Sequence, residues 1–207
     1  MLKYKHIIFD FDGTLSDSYP TFVSAMKETL QGYGVDRGED EIYYLLKKYS
    51  VPHVFDVCGF GERKAVAKAE FEALADSILR CKAQPIEGTE DILKYIADNG
   101  GKSYIYSHSG DIVKENTERW GLDKYITAYQ LGDVSFPRKP APDALLNLIR
   151  VHGLDPRECV MVGDRDIDVL AGKNAGMAGI LMDTEGYYTD LDVEYRIDRL
   201  SDIKDCI

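Results

Sequence analysis

Five short apolar segments set the strongest limit on what this chain can fold into. They lie at residues 5–11, 103–106, 126–131, 159–162 and 179–182. Segments of this length, bounded by turn residues, predict buried strands. Helical patterns separate most of them; in one, Ile92, Leu93 and Ile96 follow Thr89-Glu90-Asp91 and precede Gly100-Gly101. This alternation predicts right-handed crossovers, and therefore an α/β fold with a doubly wound parallel sheet.

The chain between the first and second segments is roughly 70 residues longer than an ordinary crossover connection. Its apolar residues recur at helical spacing in two groups: Phe22, Met26 and Leu30, then Ala67, Phe71, Leu74 and Ile78. We therefore expect an inserted all-helical domain at residues 16–83, and a core formed by residues 1–15 and 84–207. The acidic segment from Asp190 onward is expected to be solvated surface.

The charge balance disfavours several classes of partner. The 207 residues carry a formal net charge of -11, and the sequence pI is about 4.8. This net negative charge gives the chain no overall electrostatic attraction to nucleic acid or to an anionic membrane surface. Four widely spaced cysteines argue against a zinc site or a disulfide framework, and the apolar stretch at 7–9 is too short for a signal peptide. These features predict a cytoplasmic protein in which any anionic ligand meets local positive charge. Whether it is a monomer or a homodimer stays open.

Two carboxylates follow the first predicted strand directly, in Asp10-Phe11-Asp12-Gly13-Thr14. Ligands of open parallel sheets bind beyond the carboxyl ends of the strands, where these side chains are expected. Residues spaced i, i+2 at a strand end project to the same side, and Gly13 allows the chain to turn away. The alternative is a solvated turn of the kind that most Asp-Gly pairs form.

A second acidic group, Asp164 and Asp168, follows the strand predicted at 159–162. These acids are also what a helix N-terminus favours, so a purely structural role stays open. If both strand ends face one cleft, the carboxylates converge with Asp10, and hard oxygen ligands at close range call for a divalent cation. Mg²⁺ suits the site because it accepts few protein ligands and takes the rest from water and phosphate.

Positive charge and phosphate-binding groups are expected at two further turns. Ser107-His108-Ser109-Gly110 can offer a hydroxyl and backbone amides to a phosphate, although a helix-capping turn would look the same. His108 could be a general acid or base, or merely structural. Lys139 lies before a proline-rich helix start, where a rigidly held cation could balance the carboxylates and a transferring phosphoryl group.

Four segments, taken in order, resemble the sequence motifs of the haloacid dehalogenase superfamily. They are Asp-x-Asp-Gly-Thr at 10–14, the strand-terminal Ser107, Lys139, and Gly-Asp-x-x-x-Asp at 163–168. The resemblance covers essentially the whole chain, and the insertion after the first motif is similar to the subclass with an α-helical cap. It implies a Rossmann-like core and a Mg²⁺-dependent phosphatase of a small phosphorylated metabolite that is similar to phosphoglycolate or to a sugar phosphate.

The resemblance also implies a role for each matching residue. Asp10 would attack phosphorus to form an aspartyl-phosphate, and Asp12 would protonate the leaving oxygen and later activate water. The metal site would comprise the Asp10 side chain, the Asp12 carbonyl, Asp164 and a supporting Asp168. The phosphate-binding set would comprise Gly13, Thr14, Ser107, His108 and Lys139. Relatives commonly have Thr-Asn where this chain has Ser107-His108, which leaves open whether His108 touches the substrate.

Substrate recognition would belong to the cap, where residues 46–53 resemble a loop that faces the site. Lys47, Lys48 or His53 would meet a second anionic or hydroxyl group of the substrate. The alternative is that the two lysines form a solvated helix end.

Other functions stay open to different degrees. A phosphomutase of the β-phosphoglucomutase type needs the same nucleophile, metal and acid/base carboxylate, and a catalytically silent binding domain would keep the same fold. Asp12 argues against a dehalogenase or a phosphonate-cleaving enzyme, because neither chemistry uses that carboxylate.

Overall fold

The computed structural model describes residues 2–132 and 135–207, which form two compact units. The first contains the chain up to Ser16 together with Pro85–Ile207, and the second contains Asp17–Gln84. These boundaries lie one residue from the ones expected from the sequence.

The first unit is built on a six-stranded sheet in which every paired neighbour is parallel. Its strands are β1 (His6–Phe9), β2 (Lys102–Ser107), β3 (Ile126–Leu131), β4 (Cys159–Gly163), β5 (Ala178–Met182) and β6 (Tyr195–Ile197). Their order across the sheet is β3-β2-β1-β4-β5-β6. The order reverses at β1, so the sheet is doubly wound and the predicted fold class is confirmed.

Helices connect these strands, as the alternating pattern predicted. They are α5 (Thr89–Asp98), α6 (Ile112–Arg119), α7 (Asp143–His152) and α8 (Asp166–Asn174). The predicted start at Thr89 is the observed start of α5. The central strands are apolar on both faces because helices cover both sides: Ile7, Ile8 and Phe9 have no exposed surface.

The prediction of solvated surface beyond Asp190 is wrong. β6 pairs with β5 in this segment, and a 3₁₀ helix follows at Leu200–Asp205. Ile197, Leu200 and Ile203 are buried. The charged residues of the segment lie between these apolar positions, so overall acidity hid a short edge strand.

The second unit is helical. Its helices are α1 (Tyr19–Gly32), α2 (Glu39–Lys48), α3 (Val51–Val57) and α4 (Lys64–Lys82), with a 3₁₀ turn at Gly61–Arg63. Met26, Leu30, Ala67 and Phe71 are buried in one apolar cluster, while Phe22 and Leu74 pack against it partly buried. This cluster gives the unit a core of its own.

No helix in the described ranges combines the length and apolar character needed to cross a bilayer. The cysteines Cys58, Cys81, Cys159 and Cys206 are all free thiols.

Candidate active site

The carboxyl ends of three neighbouring strands carry the predicted motif residues. Phe9 of β1 is in register with Ile105 of β2 on one side and with Val162 of β4 on the other. Asp10, Ser107 and Asp164 therefore follow or end adjacent strands at one edge of the sheet. All three are buried, with exposures of 8%, 2% and 0%.

Lys139 occupies the centre of this edge. Its Nζ donates to Asp10 Oδ1 at 2.6 Å, to Asp168 Oδ1 at 2.8 Å and to the Tyr106 carbonyl at 2.8 Å. The side chain is 1% exposed. Burial lowers the pKa of Lys139, but the carboxylates of Asp10 and Asp168 outweigh that effect and the pKa is raised. Lys139 is therefore a permanent buried cation.

The donor set at this edge fits a hard divalent cation. One carboxylate oxygen from each of Asp10, Asp164 and Asp168 lies within 4.8 Å of the others. Three buried carboxylates against the single charge of Lys139 leave an excess of negative charge. Burial, partly offset by Lys139 and reinforced by the other two carboxylates, raises the pKa of Asp10 well above its ordinary value. A bound cation would relieve this repulsion, and Mg²⁺ prefers such oxygen ligands.

Asp168 has two hydrogen-bonding tasks already. Oδ1 accepts from Lys139 Nζ, and Oδ2 accepts from the backbone N–H of Arg165 at 3.1 Å, at the start of α8. Asp10 and Asp164 are therefore better suited to direct metal contact, with Asp168 holding Lys139 in place.

Gly163, at the end of β4, is required by the close approach of Asp168. A Cβ at position 163 would lie 2.2 Å from Asp168 Cβ and 2.6 Å from Asp168 Oδ2. Such contacts cannot be accommodated without moving the carboxylate or the strand end.

We expect Gly163→Ala to destabilise the protein by about 1–3 kcal/mol through overpacking and to lower turnover about 10-fold or more through displaced Asp168. Denaturant unfolding and turnover on the best substrate would measure both effects. Gly32→Ala is the matched control, because nothing lies within 4 Å of its added Cβ. Equal behaviour of the two variants would contradict the steric argument.

Asp12 is half-buried and lies beside the turn after β2. Ser109 Oγ donates to Asp12 Oδ2 at 2.6 Å. Gly13 has φ +82°, a conformation that favours glycine and lets the chain turn after the two acids. Thr14 Oγ1 donates to Asp164 Oδ1 at 3.3 Å, so this threonine orients a carboxylate. No role for Ser109 was predicted from the sequence, although it carries a hydroxyl in the same small-residue turn.

Ser107 and His108 have different environments despite being adjacent. Ser107 Oγ accepts from the Ser109 N–H at 3.0 Å, which leaves its hydroxyl hydrogen to donate elsewhere. His108 Nε2 accepts from the backbone N–H of Lys139 at 3.0 Å. Burial, with the nearby charges of Lys139 and Arg138, lowers the pKa of His108 to about 3. His108 is therefore neutral at physiological pH.

The lowered pKa of His108 predicts acid sensitivity. As pH falls below the ordinary value of 6.5, the unfolded chain takes up a proton at His108 that the folded chain refuses until about pH 3. Stability is therefore lost across that window as pH falls. We expect the free energy of unfolding to drop between pH 7 and pH 5 by roughly 2 kcal/mol more in the wild type than in His108→Gln. Parallel denaturant titrations would measure this, and identical pH profiles would contradict it.

The predicted recognition residues lie in the second unit. The prediction of a loop at 46–53 is wrong, because Lys47 and Lys48 end α2 and His53 lies in α3. Lys47 is 3% exposed, with its Nζ 4.8 Å from the ring centroid of Tyr19, so it is not a solvated helix end. Lys48 is half-buried, and the His53 ring lies 4.3 Å from that of Tyr49.

A cavity of about 370 Å³ opens beside the Ser107-His108 turn in the first unit. Gln130 of β3 and the segment from Phe136 to Arg138 complete much of its lining. Its volume suits a small molecule rather than a macromolecule.

Buried carboxylates and a buried lysine at the carboxyl ends of parallel strands are typical of the active site of an α/β enzyme. Residues 7–182 match the model of the haloacid dehalogenase-like hydrolase family. The chain belongs to this family of hydrolases, which confirms the predicted superfamily.

Two named relatives agree with this membership, and a solved structure has the same fold. The chain is 29% identical over 184 residues to Phosphoglycolate phosphatase 1 of Pseudomonas aeruginosa, an alignment covering 83% of this chain and 66% of that protein. It is 28% identical over 209 residues to Pyrophosphatase PpaX of Bacillus velezensis, covering 95% and 93%. The crystal structure of a predicted phosphoglycolate phosphatase from Haemophilus somnus superposes with a TM-score of 0.84 at 21% identity, covering 100% and 99%. That last similarity concerns the fold.

Proposed function

We propose that this chain is a Mg²⁺-dependent phosphatase that hydrolyses a small phosphorylated metabolite in the cytoplasm through an aspartyl-phosphate on Asp10. The observation that carries the proposal is the Lys139 Nζ contact with both Asp10 and Asp168 at a buried strand end that also holds Asp164. Burying charges costs free energy of folding, and apolar packing would serve a purely structural role better. The presence of these charges therefore favours a catalytic role.

In the first half-reaction, a carboxylate oxygen of Asp10 attacks phosphorus and forms an O–P bond. The bond from phosphorus to the leaving oxygen breaks, and Asp12 donates its carboxyl proton to that oxygen. The hydrogen bond from Ser109 Oγ to Asp12 Oδ2, at 2.6 Å, fixes the carboxyl group that performs this transfer. Asp10 approaches as an oriented nucleophile because Lys139 holds its other oxygen.

In the second half-reaction, Asp12 works in reverse. Its carboxylate takes a proton from water, the water oxygen attacks phosphorus, and the Asp10–phosphorus bond breaks to release inorganic phosphate. Asp12 is then protonated again and Asp10 is a free carboxylate, so the enzyme is restored. One residue serves as acid and then as base, as the reversal of the proton transfer requires.

The transferred phosphoryl oxygens need positive charge and donors. Lys139 supplies a fixed cation, and Ser107 supplies a hydroxyl hydrogen together with the backbone amides of its turn. When bound by Asp10, Asp164 and the Asp12 carbonyl, Mg²⁺ would supply further stabilisation of phosphoryl charge. Together these groups must lower the barrier by on the order of 20 kcal/mol for a phosphate monoester.

We assign recognition of the leaving group to Lys47, Lys48 and His53, as the family resemblance implies. Lys47 is 3% exposed, with its Nζ 4.8 Å from the ring centroid of Tyr19, and it is the lysine that would pair with a carboxylate or second phosphate of the substrate. The two named relatives act, by their names, on phosphoglycolate and pyrophosphate, which both carry such a second anion. A small phosphate compound with a second anionic group is therefore the proposed substrate class.

Phosphate release from a panel of small phosphorylated metabolites tests the proposal. We expect turnover with Mg²⁺, loss of turnover on chelation, and recovery when Mg²⁺ is restored. Turnover of 2-phosphoglycolate and pyrophosphate should exceed that of phosphate monoesters of similar size that lack a second anionic group. Turnover that persists under chelation would reject the metal dependence, whereas isomerisation without phosphate release would favour the phosphomutase.

A further inference from the structure

The end of β2 and the turn that follows it hold Lys139 at both ends of the residue. The Tyr106 carbonyl accepts from Lys139 Nζ at 2.8 Å, and His108 Nε2 accepts from the Lys139 backbone N–H at 3.0 Å. Tyr106 also places its ring 4.4 Å from Nζ. The ammonium group of Lys139 is therefore fixed by a residue of β2, and its backbone by a residue two positions later in the following turn.

We infer that His108 is a positioning residue: its Nε2 acts as a fixed acceptor that holds the Lys139 backbone so that Nζ reaches Asp10 and Asp168. The inference deepens the proposed function and rests on it. It gives a specific task to a histidine whose part in substrate binding was open.

Only one form of the ring can perform this task. Nε2 must keep its lone pair to accept from Lys139 N–H, so the single proton of the neutral ring lies on Nδ1. The charges that act on the ring are Lys139, Arg138 and Arg165, which oppose protonation, and Asp168, which favours it. The cations and burial prevail, so the acceptor persists across the working pH range.

Position matters for Lys139 because its ammonium makes three contacts at once. Displacement of the backbone by about 1 Å would break the simultaneous reach to Asp10 and Asp168, and a misplacement of that size costs on the order of 100-fold in rate. Removing the acceptor would also leave the Lys139 N–H without this partner in a residue that is 6% exposed.

Two variants separate the acceptor from the bulk of the ring. Gln carries Oε1 at the same bond count from Cβ as His Nε2, so His108→Gln keeps an acceptor, whereas His108→Leu fills similar space without one. We expect His108→Leu to lower kcat about 10-fold to 100-fold with KM within about 2-fold, on every substrate, and His108→Gln to stay within about 3-fold of wild type. His152→Leu, on the exposed end of α7, is the matched control and should be unchanged.

The rival role, a contact between His108 and a ligand in the adjoining cavity, gives a different pattern. A rise in KM that depends on the substrate, with kcat unchanged, would overturn the inference. An equal loss of kcat in the Gln and Leu variants would also overturn it. If His108 acts through Lys139, His108→Leu should lower kcat little further once Lys139 is already replaced by Met. An undiminished loss of kcat in that double variant would contradict the inference.

Nitrogen NMR of histidine-labelled protein gives a readout independent of activity. We expect His108 in the neutral Nδ1–H form from pH 5 to pH 8, and a proton on Nε2 would overturn the inference. Failure of the proposed function would appear as wild-type protein that releases no phosphate from any ester. Failure of this inference alone would appear as an active wild type matched by His108→Leu.

Discussion

Asp10→Asn is expected to abolish phosphate release, with a loss of at least about 10⁴-fold in kcat. The amide keeps the size of the side chain but cannot form the acyl-phosphate bond, and losses of this order follow removal of an enzymatic nucleophile. The variant should stay folded, because the substitution removes one of three crowded buried carboxylates. Phosphate release at saturating substrate and Mg²⁺, with thermal unfolding as a fold check, would measure the result.

Asp98→Asn is the matched control. Asp98 is exposed and pairs with Lys94 at 2.6 Å, so the same change of chemistry there should leave kcat unchanged. A folded Asp10→Asn protein that retains a tenth of wild-type turnover would contradict the covalent mechanism. It would indicate instead that an activated water molecule is the nucleophile.

Lys139→Met carries the second large effect, on both activity and stability. Met has similar length without the charge, so Asp10 and Asp168 would lose their buried cation. Breaking a buried ion pair from one side costs about 3–5 kcal/mol, and we expect that loss in the free energy of unfolding measured with a chelator present. Turnover should fall about 10³-fold or more, because the phosphoryl oxygens also lose their fixed positive charge.

Lys94→Met separates this effect from the general loss of a lysine. The Lys94–Asp98 pair is solvent-exposed, so its removal should change stability by less than about 1 kcal/mol. Comparable losses in the two variants would mean that Lys139 has no special electrostatic role. Added Mg²⁺ should restore part of the stability of Lys139→Met, since a cation bound to the same carboxylates replaces some of the missing charge.

The sheet and its acidic edge were predictable because they follow from local patterns. An uninterrupted apolar run such as Ile7 to Phe9 is compatible with a strand covered on both faces, and Asp10 directly after it must lie at the strand end. Strand adjacency then brings Asp164 close to Asp10. The family resemblance supplied the roles, whereas the strand pattern supplied the placement.

The features that sequence reasoning missed depend on tertiary register. The Ser109 hydroxyl meets Asp12 across 97 positions of sequence, and nothing local to either residue indicates the pair. β6 was missed because a three-residue edge strand with a single buried residue, Ile197, has too short a pattern to recognise. Lys47 was expected in a solvated or loop setting, since a lysine covered by an aromatic ring looks like any other lysine in sequence.

The inserted unit leaves and re-enters the sheet-containing unit at neighbouring points. Ser16 forms an antiparallel bridge with Pro85, the Ile86 N–H donates to the Leu15 carbonyl, and Asp17 N–H donates to Gln84 carbonyl at 3.0 Å. Because the two ends of the inserted unit are hydrogen-bonded next to each other, the unit can become longer, become shorter or be exchanged without moving β1 or β2. Evolution could therefore alter the inserted unit while Asp10 and the residues proposed to act with it stayed in register on the sheet.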